Sequence, residues 1–316
     1  MSLKNPEGET EIISSENTFY TIESALQTPD KVLRLDLHLK RLSEIPQEVY
    51  QLSNLIELNL LNNSISEVPK EIEKLENLEK LELSGNSFSK FPETVCSLSK
   101  LKVLVLSWNE IDNIPDCIGN LISLTELALN HNKISSITSE ISNLTALKIL
   151  ILNNNKLTNL PDTVGDLVSL EKLRISNNQL TGLPASIGDL SNLIKLEAQE
   201  NNLTSIPDSI GKLSNLKRIR LYQNILTELP DSIGNLSKLE KLLLYENEIE
   251  LIPESIGRLA QLEELDLSCN CLTSLPESIR QLSHLDNFDL SKNEFTEDEK
   301  LRIQQLMHQT RLNWED

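Results

Sequence analysis

One pattern recurs twelve times along the chain at an unbroken spacing of 23 residues, and it leaves little freedom for any other fold. The pattern reads L-x-x-L-x-L-x-x-N-x-L/I/F-x-x-L/I-P-x-x-I-x-x-L. Its first apolar residue falls at Val32, Leu55, Leu78, Leu101, Leu124, Leu147, Leu170, Leu193, Leu216, Leu239, Leu262 and Leu285. No insertion interrupts the period. Ordering a backbone costs roughly 1–2 kcal/mol per residue, more than the aliphatic positions of one such unit return. A lone unit therefore cannot stand, and the units must stack, each burying its apolar face on the next.

Two further positions are nearly invariant. Asparagine recurs from Asn63 to Asn293, and only the first unit departs, with Lys40. A buried asparagine can satisfy backbone groups of its own and the adjacent turn, so these residues read as a structural ladder and not as a binding site. Proline recurs from Pro46 to Pro276, with Thr138 in the fifth unit and Glu299 in the twelfth. Behind the prolines stand Glu93, Asp116, Asp162, Asp208, Asp231, Glu254 and Glu277, placed to complement the start of a short turn or helix. Much of the net charge of −19 is thus repeated scaffold chemistry.

This pattern resembles the leucine-rich repeat family over residues ~32 to 295, and its L-P-x-x-I-G-x-L form is similar to the bacterial and intracellular Ras-group subclass. The resemblance implies an α/β solenoid, or horseshoe, with a concave parallel sheet, short helices, 3-10 turns or loops on the convex side, and a protein-binding role of the kind met in signalling. The expected organisation is one continuous domain. Residues 1–31 form a tail and capping helix, 32–295 the twelve repeats, and 296–316 a C-terminal capping helix and tail. NTFYTIESALQTP reads as a short amphipathic helix stopped by Pro29, and Thr296-x-x-Glu299 as a capping box whose helix covers the core edge with Ile303, Leu306 and Met307.

Composition narrows the function. An acidic chain argues against nucleic acid and anionic membranes as general partners, and no apolar run is long enough for a membrane helix. Cys96, Cys117, Cys269 and Cys271 are too few and too irregular for a disulfide framework, which favours a reducing, cytoplasmic setting. Export stays open if a native signal has been replaced at this start. Cys269 and Cys271 lack the second pair that zinc needs, so no metal or cofactor is expected. Gly211-Lys212 lacks the rest of a phosphate loop, and no nucleophile–histidine arrangement can be assembled, so no catalytic residue is assigned. His38, His284 and His308 read as solvated.

The concave face is legible in columns. Counting from the first apolar residue, positions 3, 5 and 7 of each unit face outward, and equal positions of neighbouring units lie one strand spacing apart, ~4.8 Å. Positions 3 and 5 are Val103, Val105, Glu126, Ala128, Ile149 and Ile151 in the fourth to sixth units. The next four units give Lys172, Arg174, Lys195, Glu197, Arg218, Arg220, Lys241 and Leu243, and the last two Glu264, Asp266, Asn287 and Asp289. The face runs from apolar to basic to acidic. Arg174, Glu197 and Arg220 in column 5 can pair with one another, whereas Lys172, Lys195, Arg218 and Lys241 in column 3 repel, with Glu171 and Glu240 as neighbours available to screen them.

Tyr222 and Tyr245 share column 7, and Trp108 and His131 stand beside the apolar patch. Aromatic and arginine side chains are the types that dominate binding energy. The expectation is a monomeric, non-catalytic scaffold. It binds a protein or peptide through Val103, Val105, Trp108, His131, Ile149 and Ile151, and holds an acidic segment with Lys172, Arg174, Lys195, Arg218, Arg220, Tyr222, Lys241 and Tyr245. The alternative is an exported bacterial protein that binds a surface ligand or carbohydrate.

Overall fold

A computed structural model describes residues 17–308 and 310–314. Among them, three-residue strands follow one another at the repeat period, from β2 (Arg34–Asp36) to β13 (Asn287–Asp289). Two more strands, β1 (Thr18–Phe19) and β14 (Arg311–Asn313), flank them. All pair in parallel and in chain order, in one open sheet. The register keeps equivalent positions opposite each other, as in Leu173↔Leu196 and Leu196↔Ile219. Period-two alternation turns the middle residue of each strand inward, where Leu58, Leu104 and Leu196 are fully buried. One aliphatic core runs without a break from Ala25 to Met307.

Past each strand the chain turns through the asparagine ladder. Asn178 donates from Nδ2 to the carbonyls of Leu152 (3.0 Å), Ile175 (3.0 Å) and Ser176 (3.1 Å), and its Oδ1 accepts from the Leu157 N–H (3.0 Å). Each asparagine thus ties its own turn to the unit before it. Asn63 does the same for the first unit, through Leu37 and Leu42, so that unit needs no asparagine of its own. The residue just before each ladder asparagine takes a left-handed backbone. Gly85, Asn62, Asn154 and Asn177 adopt it easily, but Trp108 (φ 57°) and His131 (φ 55°) do so under strain.

The return path is a five-residue 3-10 turn that begins after the proline, as at Asp208–Lys212. In the fifth unit Thr138 replaces the proline as a cap: its hydroxyl accepts from the Glu140 N–H (3.3 Å) and donates to Asp116. Glycine in these turns is a packing requirement. A Cβ on Gly165 would sit 2.6 Å, and one on Gly211 2.5 Å, from the Ser186 and Ser232 carbonyl oxygens one unit on.

That same contact, 21 residues in span, is where Cys96 and Cys117 lie, and they form a disulfide between successive turns. The expectation that no cysteines pair is corrected here: the two replace a glycine–serine contact, whose spacing brings their side chains together. Cys269 and Cys271 remain free.

Both ends differ from expectation in detail. The N-terminal helix α1 spans only Ile22–Leu26, capped by Thr21, and β1 precedes it as an extra edge strand. Helix α2 (Glu297–Leu306) is capped by the Thr296 hydroxyl, and Ile303 and Met307 close the core with Leu306 packed beside them. The Glu299 carboxylate does not complete a capping box. It accepts from the Leu275 N–H (3.1 Å) and holds Arg302, docking the helix on the last repeat.

Glycine substitutions test the packing of the convex turns. Gly211→Ala is expected to cost roughly 1–3 kcal/mol in urea unfolding. Gly182→Ala, where a Cβ meets nothing within 4 Å, should be neutral or stabilising by up to ~1 kcal/mol. Equal costs at the two positions would show that close approach does not set the glycines.

Candidate functional site

The sheet register sets the residues of columns 3 and 5 opposite one another on adjacent strands. Column 3 runs Ile149↔Lys172↔Lys195↔Arg218↔Lys241↔Glu264 across adjacent strands, and column 5 runs Ile151↔Arg174↔Glu197↔Arg220↔Leu243↔Asp266. Column 5 neutralises itself. Glu197 lies between two arginines, 3.1 Å from Arg174 and 3.4 Å from Arg220. At the far end of column 3 Lys241 pairs with Glu264.

Lys172, Lys195 and Arg218 have no carboxylate within ion-pair distance among the described residues. The screening expected from Glu171 and Glu240 is absent, because those carboxylates reach Lys148 (3.5 Å) and Lys217 (2.6 Å) on the flank of the sheet. Three cations thus stand on consecutive strands without an ion pair among the described residues, Glu197 offsetting the repulsion at Lys195 only in part. The effect shows at the middle one: burial, then Arg218 and Lys172, hold the Lys195 ammonium below its ordinary pKa.

The other cations that the repeats place in these two columns are paired, as where Glu57 takes both Arg34 (3.0 Å) and Lys80 (2.6 Å). His38 is exposed, as expected, with its ring Nδ1 2.7 Å from Asp36 Oδ1.

Beside the cations, Tyr222 and Tyr245 stack with ring centroids 4.2 Å apart and planes 9° from parallel. The pair walls one side of the basic band. Burial, followed by Tyr222, raises the Tyr245 phenol well above its usual range, so it stays a neutral hydrogen-bonding group. In the same column Gln199 is buried, and its Oε1 has no hydrogen-bond partner among the described residues.

The apolar patch is Val103, Val105, Ala128, Ile149 and Ile151, with Glu126 among them. At its rim Trp108 is 61% exposed and stacks on His131, centroids 3.6 Å apart and planes 12° from parallel. The ladder continues by hydrogen bonds, with Asn154 Nδ2 3.3 Å from His131 Nε2 and Asn177 Nδ2 donating to Asn154 Oδ1 (2.7 Å). Both rings occupy left-handed backbone positions where asparagine or glycine would be unstrained. Counting forward to the residue before each ladder asparagine would have exposed this signal in the sequence.

Past the basic band, Glu264, Asp266, Asn287, Asp289 and Arg311 line a concavity of about 510 Å³ floored by Leu265 and Phe288. Burial, against the lowering hydrogen bonds from Ser268, raises the Asp266 carboxyl above its ordinary pKa. Among the described residues no cluster of histidine, cysteine or carboxylate could hold a metal ion, and no helix is long and apolar enough to cross a membrane.

An open parallel solenoid with a chemically varied inner sheet defines a class of protein, and comparison with known proteins gives the family. The pattern described as leucine-rich repeat region matches residues 30–153, 136–224 and 208–314, so this chain belongs to the leucine-rich repeat family. Among solved structures it is similar to a leucine-rich repeat protein of Leptospira interrogans, at 30% identity and a TM-score of 0.60, covering 94% of this chain and 99% of that one. It is also similar to the Arabidopsis receptor kinase HAESA in complex with the peptide hormone IDA and the co-receptor SERK1 (32% identity, TM-score 0.72, 84% of this chain and 46% of that one). A third is the plant peptide hormone receptor RGFR1 in complex with RGF2 (28% identity, TM-score 0.70, 88% and 50%). The chain thus spans about half the length of these two plant receptor chains. No curated protein sequence matches it.

The Trp108–His131 stack gives an optical test. Burial lowers the pKa of His131, so the folded chain takes up this proton less readily than the unfolded one. Its contribution to stability is full above the unfolded value and is lost as pH falls through the lower, folded value. Tryptophan fluorescence should therefore show a transition with its midpoint below 6.5, absent in His131→Gln. A midpoint at or above 6.5 would contradict the partial burial of His131.

Proposed function

We propose that this protein is a non-catalytic interaction scaffold whose concave sheet holds an extended segment of a partner protein or peptide, acidic where it crosses the basic band. The observation that carries this reading is the triplet Lys172, Lys195 and Arg218: three cations in register without an ion pair among the described residues, where the other cations that the repeats place in columns 3 and 5 are each paired. Like charges on neighbouring strands cost stability, and an anionic partner relieves that cost. Arg220, Tyr222 and Tyr245 supply the arginine and aromatic contacts that concentrate binding energy, and Ile151, three strands from Arg220, and Val105, two strands further, an apolar seat on the other side of the basic band. The peptide complexes of the similar plant receptors support the class of ligand.

A second reading has one observation in its favour. The Cys96–Cys117 disulfide suits an oxidising compartment, which supports an exported protein that meets its ligand outside the cell.

Affinity capture distinguishes these outcomes. Wild type and an Arg218→Glu, Arg220→Glu, Tyr222→Ala variant, shown by circular dichroism to remain folded, are each incubated with the source lysate and with the extracellular fraction. A partner held by wild type and released by the variant is the expected result. Its recovery from the extracellular fraction alone would favour the exported reading. Equal capture by both proteins would remove the basic band from the site.

A further inference from the structure

The order of chemistry along the arc points beyond the presence of an acidic segment. We infer that the partner segment carries apolar, acidic and basic side chains in that spatial order, three or four residues apart, and lies across the strands with its basic group over Asp266 and Asp289. The inference rests on the concave face being a peptide-binding surface and specifies what that peptide must look like.

Geometry sets the spacing. The strands carrying Ile151, Lys195 and Asp266 are separated by two and then three steps of the sheet, in register throughout. At ~4.8 Å per step these are about 10 and 14 Å, and an extended chain rises ~3.3 Å per residue, so about three and four residues bridge them.

Charge sets the order. Asp266 accepts hydrogen bonds from Ser268, and Asp289 from Ser291 and, at its other oxygen, from Asn313 Nδ2 (2.6 Å), but neither has a cation within ion-pair distance among the described residues. Glu264, by contrast, is already taken by Lys241. Arg311 closes the far end of this concavity, so a ligand cation fits over the two column 5 aspartates and no further along. The uncompensated cations and the uncompensated carboxylates are thus separated by one neutralised pair, Lys241–Glu264, which acts as a boundary.

A ligand with its charges exchanged would put acid on Asp266 and base on Lys195, and like-charge contact is the strongest means of rejecting a wrong partner. Between Lys195 and Asp266 the Tyr222–Tyr245 stack offers a flat wall for the ligand backbone.

The test uses three fluorescein-labelled ten-residue peptides of identical composition, read by anisotropy at low salt. One carries an apolar, an acidic and a basic pair in that order with neutral spacers, the second has the two charged pairs exchanged, and the third is the first in reverse. The first or the third should bind at least ~10-fold tighter than the second, and whichever wins fixes the chain direction.

Asp266→Asn with Asp289→Asn, checked by circular dichroism for an intact fold because an amide at 289 gives up one of the bonds that Ser291 and Asn313 donate, should bring that ratio toward one. Lys195→Glu with Asp266→Lys should invert it. Equal binding of all three orders, or binding of none, would overturn the inference. A partner captured through the basic band would in that case leave the proposed function standing, with its segment ordered otherwise.

Discussion

The side-chain amide of the ladder asparagine is the contact on which the rest of this structure depends. Strands of three residues and turns of five cannot fix one unit against the next by backbone hydrogen bonding alone. Each asparagine supplies donors to two carbonyls of its own turn and one carbonyl of the preceding unit, and an acceptor to an amide of that unit, as Asn201 does for Ile175, Ala198, Gln199 and Leu180. All of this happens in a buried site where an unmet polar group is costly. The aliphatic core supplies the drive to stack; the ladder fixes the register in which stacking occurs.

Register fixed in this way frees the outward positions. Asp36, Asn59, Glu82, Asp266 and Asp289 each accept from the backbone amide two residues on, and Asn153 from the Ser176 N–H. Among the described residues the remaining side chains of columns 3 and 5 make no bond to the backbone of the sheet and can carry a pattern that serves something else. Their contents bear this out in physical terms. Glu57 and Glu197 each collect two cations, which is ordinary surface neutralisation worth little on its own. Lys172, Lys195 and Arg218 break that rule, and Trp108 sets a large exposed ring at the left-handed position that Glu200, Gln223, Glu246, Cys269 and Lys292 fill in their own units. Departures from local optimality cluster on one face of an otherwise consistent scaffold, as expected where function and not folding sets the residue.

Much of this is legible in the sequence because a constant period turns chain position into spatial position. Arg174, Glu197 and Arg220 can be paired on paper since 23 residues always means the adjacent strand, and the structure pairs them. The Glu171 and Glu240 carboxylates are harder: they sit one position out of column, and side-chain direction sends them to the flank, toward Lys148 and Lys217. Counted off the repeat frame, two cysteines 21 residues apart look irregular, although that span is the turn-to-turn contact of Gly165 with Ser186. The edge strands β1 and β14 lie outside the repeat, where nothing periodic announces them.

The central claim is that framework and concave chemistry are separable, and urea unfolding of two single variants tests it most directly. Asn178→Ala removes one ladder contact and should cost ~1–3 kcal/mol by orphaning the Leu152 and Ile175 carbonyls and the Leu157 amide. Lys195→Ala removes the middle of the uncompensated cations and should cost nothing beyond ~0.5 kcal/mol, or stabilise. If Lys195→Ala were as damaging as Asn178→Ala, the basic band would be part of the framework, and its service to a partner would lose its physical basis.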